Sequence, residues 1–353
     1  MDDRTPPPNP LPQGEGESPA TALIELRDFA VAFAGVPVIH ALHLHIARGD
    51  AVGLVGESGS GKSVTWLGAL GLLPPVASVS GQVLLQGENL LTASPERLAR
   101  IRGGRIGLIF QDPVSALNPI HRVGAQVVEA LRVHRDLTGG AARAEAKRLF
   151  DQVGIPDAAR RLALYPHELS GGQNQRVMIA MALAGQPDLL IADEPTTALD
   201  TTIQAQILDL LDRLRRDTGM ALVLISHDLS VVAELCSRIA VMYAGRIVEQ
   251  APTDALFDRP AHPYARGLLA AVPPLSGPRQ RLAAIQGSVP EPWNMPPGCA
   301  FAPRCPLAAE DCDTGVPAMC AVSLGHSAAC VHLAHDVGLR READRRGERS
   351  DAG

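Results

Sequence analysis

The stretch Ala51-Val-Gly-Leu-Val55, running on into Gly56-Glu57-Ser58-Gly59-Ser60-Gly61-Lys62-Ser63, decides how this chain is read. Five apolar residues bounded by polar neighbours and glycine read as a buried strand, and a helical segment starts near Ser63. The turn between them has the P-loop pattern. Its glycines let backbone N–H groups turn inward around phosphate oxygens, and the following helix N-terminus adds positive potential. In that pattern the lysine reaches the β- and γ-phosphates and the hydroxyl binds Mg²⁺. Gly56, Ser58, Gly59, Ser60, Gly61, Lys62 and Ser63 are therefore candidate nucleotide contacts.

Working outward, Ile106 to Phe110, Leu189 to Ala192 and Ala221 to Ile225 are further short apolar runs, each with Gly, Asp or Ser within two residues of its ends. Helical patterns separate them: Ala141 to Val153, and Thr202 to Arg216 with Ile203, Ile207, Leu210, Leu211 and Leu214 on one face. Strands alternating with helices predict an α/β fold around a largely parallel sheet covered on both faces. The run ending at Ala192 delivers Asp193 and Glu194 to the carboxyl edge of such a sheet, where ligands of open α/β sheets bind. Asp193 suits Mg²⁺, held directly or through water. Glu194 suits the orientation and deprotonation of an attacking water.

The composition fits this reading. With 46% hydrophobic residues in 353, the chain has material for a substantial core, and with 3% aromatics that core is built from Leu, Val, Ile and Ala. A net charge of −6 gives no overall attraction to a phosphate backbone, so nucleic acid is not an expected partner. No run reaches the length of a spanning helix, and the N-terminus is Pro-rich and acidic, unlike a signal peptide. Residues 1–20 and 336–353 read as disordered ends. From about Leu256 the sequence turns Pro-, Gly- and Cys-rich, which predicts a separate small appendage. Cys236 stands alone while five cysteines crowd between Cys299 and Cys330, a distribution closer to a metal or cluster site than to scattered disulfides and consistent with a reducing compartment.

Leu169-Ser170-Gly171-Gly172-Gln173, about twenty residues before Asp193-Glu194, resembles the signature motif of ABC ATPases, a P-loop NTPase family with a helical subdomain. The resemblance implies further roles. Gln111 matches the Q-loop glutamine that contacts Mg²⁺ and water, Asp200 of Thr197-Ala-Leu-Asp200 the D-loop, and His227 the switch histidine on the γ-phosphate. Phe33 matches the aromatic that stacks on adenine. In this family two ATPase subunits meet head to tail, so Leu169 to Gln173 would serve nucleotide on the partner's P-loop. Asn174 departs from the basic residue common there, which predicts a modest change in the electrostatics of the dimer face.

Phe110-Gln-Asp-Pro-Val-Ser-Ala-Leu-Asn-Pro119, Ile191 to Asp200 and Val241 to Glu249 resemble the oligopeptide, dipeptide and nickel importer branch. So do His262-Pro263-Tyr264, Ile285 to Pro290 and Gly298-Cys299 with Phe301, Pro303, Arg304 and Cys305. The branch implies an ATPase domain over 21–255, its helical subdomain over about 112–178, and a C-terminal extension over 256–335. It implies a peripheral subunit at the cytoplasmic face of the membrane. Its partners would be two membrane-spanning permease subunits, contacted through about 112–133, a second ATPase that is a copy or a paralogue, and indirectly an extracytoplasmic solute-binding protein. ATP and Mg²⁺ are the implied ligands, with peptide, nickel or another small solute as cargo. A soluble ABC-type ATPase acting on nucleic acid or ribosomes shares every nucleotide motif and is the alternative. Cys299, Cys305, Cys312 and Cys330, separated by five, six and seventeen residues, match neither a zinc ribbon nor a bacterial ferredoxin run. Relatives in the branch can carry a [4Fe–4S] cluster there, and zinc or unligated thiols are the other readings.

Overall fold

Apolar runs with no polar interruption bury on both faces, and this sets the middle of the molecule. The computed structural model describes residues 22–112, 116–197, 199–271 and 285–333, so both expected disordered ends lie outside the described residues, as does Ala198 of the expected D-loop. The described strands are β1 (Ala22–Phe33), β2 (Val36–Ala47), β3 (Ala51–Val55), β4 (Ala77–Leu85), β5 (Glu88–Asn89) and β6 (Ile106–Ile109). They continue with β7 (Leu189–Asp193), β8 (Ala221–Ser226), β9 (Arg238–Tyr243), β10 (Arg246–Pro252), β11 (Cys320–Ser323) and β12 (His326–Ala328). One sheet runs β11-β12-β10-β9-β3-β8-β7-β6, with β9, β3, β8, β7 and β6 parallel and the β10 side antiparallel.

Side chains on β3 alternate between two cores, as a period of two requires: Val52 and Leu54 enter one, Ala51 and Val55 the other. The first lies against an antiparallel sheet, β2-β1-β4-β5, and takes in Trp66. The sequence reading does not anticipate that sheet. Repeated register shifts along β1, with Asp28 at φ 47°, blur the alternation by which a half-buried strand is recognised.

Helices cover both cores. Those described are α1 (Lys62–Ala69), α2 (Pro95–Ile101), α3 (Val123–Arg135), α4 (Gly139–Gln152) and α5 (Ala158–Arg161). Then come α6 (Gly171–Leu183), α7 (Thr201–Thr218), α8 (Leu229–Leu235), α9 (Thr253–Asp258) and α10 (Pro263–Ala270). The predicted helices at 141–153 and 202–216 are α4 and α7. The Asp200 carboxylate caps α7 by accepting from the Ile203 N–H at 2.9 Å, and Gly219 at φ 69° ends it.

The expected separate appendage is not separate. Strand β12 pairs with β10 through Glu249↔Ala328 and Gln250↔Ser327, extending the larger sheet, while Tyr264 and Phe301 enter the same core as Val241 and Tyr243. Pro and Gly break the periodicity of this region but leave its anchoring side chains apolar. A carboxylate and a histidine brace the join: Glu249, fully buried, accepts from the Ala261 and His262 N–H groups and pairs with His326 Nε2 at 2.7 Å.

Candidate nucleotide site

Strands β3, β6, β7 and β8 end at one edge, since Val55 stands beside Ser226, Asp193 beside Ile225 and Ile109 beside Ala192. The loops that follow them carry Gly56 to Gly61, Gln111, Glu194 and His227 to that edge. Gly56 is required sterically: a Cβ there would stand 2.2 Å from the Met242 carbonyl oxygen. The loop runs into α1 with Gly61 as its N-cap, leaving the first N–H groups of the helix facing the cradle.

Lys62 is buried and donates from Nζ to the carbonyls of Gly56 at 2.8 Å and Glu57 at 3.0 Å. Burial pushes its pKa down, against the opposing pull of Glu194, Asp193 and Glu57. An anion placed in the cradle offsets that desolvation. Asp193 lies beside Ser63; burial raises its carboxyl pKa, partly countered by the Ser63 hydroxyl. Its Oδ1 and the Ser60 hydroxyl are buried with no hydrogen-bond partner among the described residues. Orphaned oxygens of this kind are costly unless something is bound. A hard cation on the Ser63–Asp193 pair and an anion in the cradle fit these donors and acceptors.

Next to this pair, Glu194 adopts φ 45°, in the left-handed region that a non-glycine residue enters at a cost of about 1–3 kcal/mol. Its N–H is held by the Ile225 carbonyl at 3.0 Å. Its carboxylate gathers three groups: Gln111 Nε2 and Thr197 Oγ1 each at 3.0 Å on Oε2, and His227 Nδ1 at 3.2 Å from Oε1. Gln111, Glu194 and His227, far apart in sequence, thus meet at one carboxylate. Thr197, the first residue of the D-loop stretch, is not expected at Glu194 from the sequence; its place three residues on, within the turn, is the available signal.

The remaining expected residues lie around this centre. Ser170 and Gln173 cap α6 reciprocally, Ser170 Oγ accepting from Gln173 N–H and Gln173 Oε1 from Ser170 N–H. Leu169 and Leu199 pack on the same core, Gly171 faces Leu199, and Gly172 leaves no room for a side chain against Ile203. Phe33 ends β1 beside Val36 and Ala77 and packs, partly buried, on the core that holds Trp66. Asn174 corrects the expectation set for it: it is buried, donating from Nδ2 to the Pro166 carbonyl at 2.9 Å, so it is no part of a face's electrostatics.

Comparison with known proteins decides the family. A Brucella abortus protein named "putative peptide import ATP-binding protein" is 49% identical over 313 residues, covering 87% of this chain and 94% of the relative. The chain belongs to the ABC transporter ATP-binding family. The ABC transporter family pattern matches residues 39–197 and the oligopeptide/dipeptide transporter C-terminal region matches 248–312. The oligopeptide transport ATP-binding protein OppD of Mycobacterium tuberculosis is 49% identical over 315 residues, spanning 88% of this chain and 52% of OppD. Among solved structures, cbiO1 of Clostridium perfringens superposes with a TM-score of 0.60 at 27% identity, over 68% of this chain and 92% of cbiO1. An ATP-binding cassette solved as a dimer in a post-hydrolysis state with ADP and Pi gives 0.58 at 28% identity, over 65% and 98%. As a member of this family the chain is an ABC-type ATPase.

In this ABC ATPase the cysteines of the extension depart from expectation. Cys299, Cys305, Cys312 and Cys330 are neighbours, and burial, then the other thiols, push the pKa of Cys299 and Cys305 up. Among the described residues no group of three or more His, Cys, Asp or Glu side chains is placed to hold a metal ion. The arrangement of the four thiols gives no support to a [4Fe–4S] centre, and packing on Tyr243, Tyr264 and Phe301 supplies apolar core around them. Cys236 is a buried thiol with its pKa pushed up to about 12 by desolvation. No helix among the described residues is long and apolar enough to cross a membrane.

Proposed function

We propose that this chain is the ATP-hydrolysing subunit of an importer of oligopeptides or dipeptides. It would act at the cytoplasmic face of the membrane with two permease subunits, a second ATPase and, beyond the membrane, a solute-binding protein. Residues 21–255 form the ATPase, with a helical subdomain over about 112–178, and 256–335 the extension.

The convergence of Gln111, Thr197 and His227 on the Glu194 carboxylate, beside the Ser63–Asp193 pair, carries the reading. Gly56, Ser58, Gly59, Ser60 and Gly61 cradle the phosphates, Lys62 exchanges its carbonyl partners for β- and γ-phosphate oxygens, and Phe33 stacks on adenine. Ser63, Asp193 and Gln111 would hold Mg²⁺, which would supply neutralisation of phosphate charge. Glu194 orients a water for in-line attack on the γ-phosphorus and takes its proton, and His227 steadies the leaving phosphate. Ser170 to Gln173, at the N-terminus of α6, clamp nucleotide carried by the partner subunit, and Asp200 lines the same junction. The dimeric post-hydrolysis relative supports that arrangement, and the names of the Brucella and Mycobacterium relatives support peptides as cargo.

Purification from native membranes tests the whole reading. The expected outcome is recovery with two polytopic proteins and a second ATPase, in a complex that takes up labelled oligopeptide into vesicles on addition of ATP. Recovery with nucleic-acid machinery and no membrane protein would overturn the transport role.

A further inference from the structure

Glu57, the second residue of the phosphate loop, is held from outside the nucleotide site by Arg304 and Tyr264 and from within it by Lys62. Its carboxylate is bound end-on by Arg304, Nη1 to Oε2 at 2.6 Å and Nη2 to Oε1 at 2.9 Å. Its N–H donates to the Tyr264 hydroxyl at 2.8 Å, and its carbonyl accepts from Lys62 Nζ. Arg304 is itself fixed, 5% exposed, donating to the Ile285, Gln286 and Gly287 carbonyls and to the Tyr243 hydroxyl. Tyr264 is fully buried in an aromatic group with Tyr243 and Phe301, with ring centroids 4.6 to 5.3 Å apart. The motif stretches of the extension that the hydrolytic chemistry leaves unused, 262–264, 285–287 and 301–304, therefore converge on one residue of the P-loop.

We propose that the C-terminal extension seats the P-loop for ATP, with Arg304 neutralising the Glu57 carboxylate beside the phosphate cradle and the Tyr264 hydroxyl fixing the Glu57 backbone. A carboxylate in a phosphate-binding loop repels a triphosphate, and a bidentate guanidinium cancels that repulsion while holding the loop in one geometry. Arg304 and Tyr264 are positioning residues: they act through Glu57 and Lys62. Because Arg304 is anchored to three backbone carbonyls, its fork stays on Glu57 when the site is empty, so the loop is organised before nucleotide arrives.

The proposal rests on the reading that the P-loop binds ATP, and a set of variants in the full chain separates the two. Affinity for a fluorescent ATP analogue is the readout. Arg304→Gln leaves Glu57 unpaired and is expected to weaken binding about tenfold. Adding Glu57→Gln removes the uncompensated charge and is expected to restore affinity to within about twofold of wild type, a rescue that a merely structural role for Arg304 does not give. Tyr264→Phe, which deletes only a hydroxyl, is expected to cost about threefold. Wild-type affinity in both Arg304→Gln and Tyr264→Phe, or no recovery with Glu57→Gln, overturns the seat. If Arg304→Gln fails to fold, Tyr264→Phe decides alone, with wild-type affinity the overturning result. Lys62→Ala distinguishes the underlying reading: wild-type affinity in that variant sinks the P-loop assignment and the seat together. Loss there with none in the extension variants sinks the seat alone.

Discussion

Gln111, Asp193, Glu194 and His227 each lie at, or within two residues of, the end of a buried strand, whereas Tyr264 and Arg304 reach Glu57 from 207 and 247 positions away. The carboxyl edge of the parallel sheet works by register. Once β3, β6, β7 and β8 align, their trailing loops have no choice but to meet. The extension works by long-range polar contacts set on an aromatic core, and no periodicity announces them. On the proposed reading one region carries the chemistry and the other holds the phosphate loop in place, so substitution of Glu194 should act on turnover and substitutions in the extension on affinity and folding.

The largest expected effect is at Glu194. Glu194→Gln keeps the hydrogen-bonding shape but removes the base, and a steady-state phosphate-release assay should fall about a thousandfold while ATP binding persists. Loss of binding along with turnover would erase the contrast between the two regions.

Next comes acid stability of the extension. The His262 ring is buried, its Nδ1 accepting from the Tyr264 N–H, and desolvation, chief among the causes, lowers its pKa to about 4 from 6.5. The unfolded chain takes up a proton near 6.5 that the folded chain refuses until about 4, so stability is complete above 6.5 and is lost as pH falls toward 4. The loss amounts to at most about 3 kcal/mol. His262→Asn keeps the N-cap and should flatten the decline seen in denaturant melts between those limits; an identical decline in both proteins would remove His262 as its source.

Lys62→Ala should weaken ATP binding about a hundredfold, since a buried cation with several charge-assisted bonds to phosphate is lost. Calorimetric titration reads it directly. The smallest effect is at Asn174, where Ala removes one buried bond to the Pro166 carbonyl and should cost about 1 kcal/mol in thermal unfolding with turnover unchanged. A marked change in turnover would return Asn174 to the dimer face.

Legibility in the sequence follows the same division. The parallel strands and α7 were readable because their side chains bury on a regular period, and the P-loop and Glu194 because their chemistry is packed into a few adjacent residues. The N-terminal antiparallel sheet was not, since bulges along β1 disrupt alternation. The extension read as separate because Pro and Gly hide its two-residue pairing of β12 with β10. Its cysteines read as a metal site because spacing reports proximity, which they have, and not the placement of sulfurs around an ion, which among the described residues they lack. Asn174 was placed on the dimer face by the family resemblance, and only its bond to the Pro166 carbonyl shows that it turns inward.

Hydrolysis in ¹⁸O-labelled water by the wild-type complex tests the central claim most directly. Attack on the γ-phosphorus by a water held at Glu194 predicts one ¹⁸O in each released phosphate and none in ADP. Label in ADP, or phosphate released without label, would contradict it.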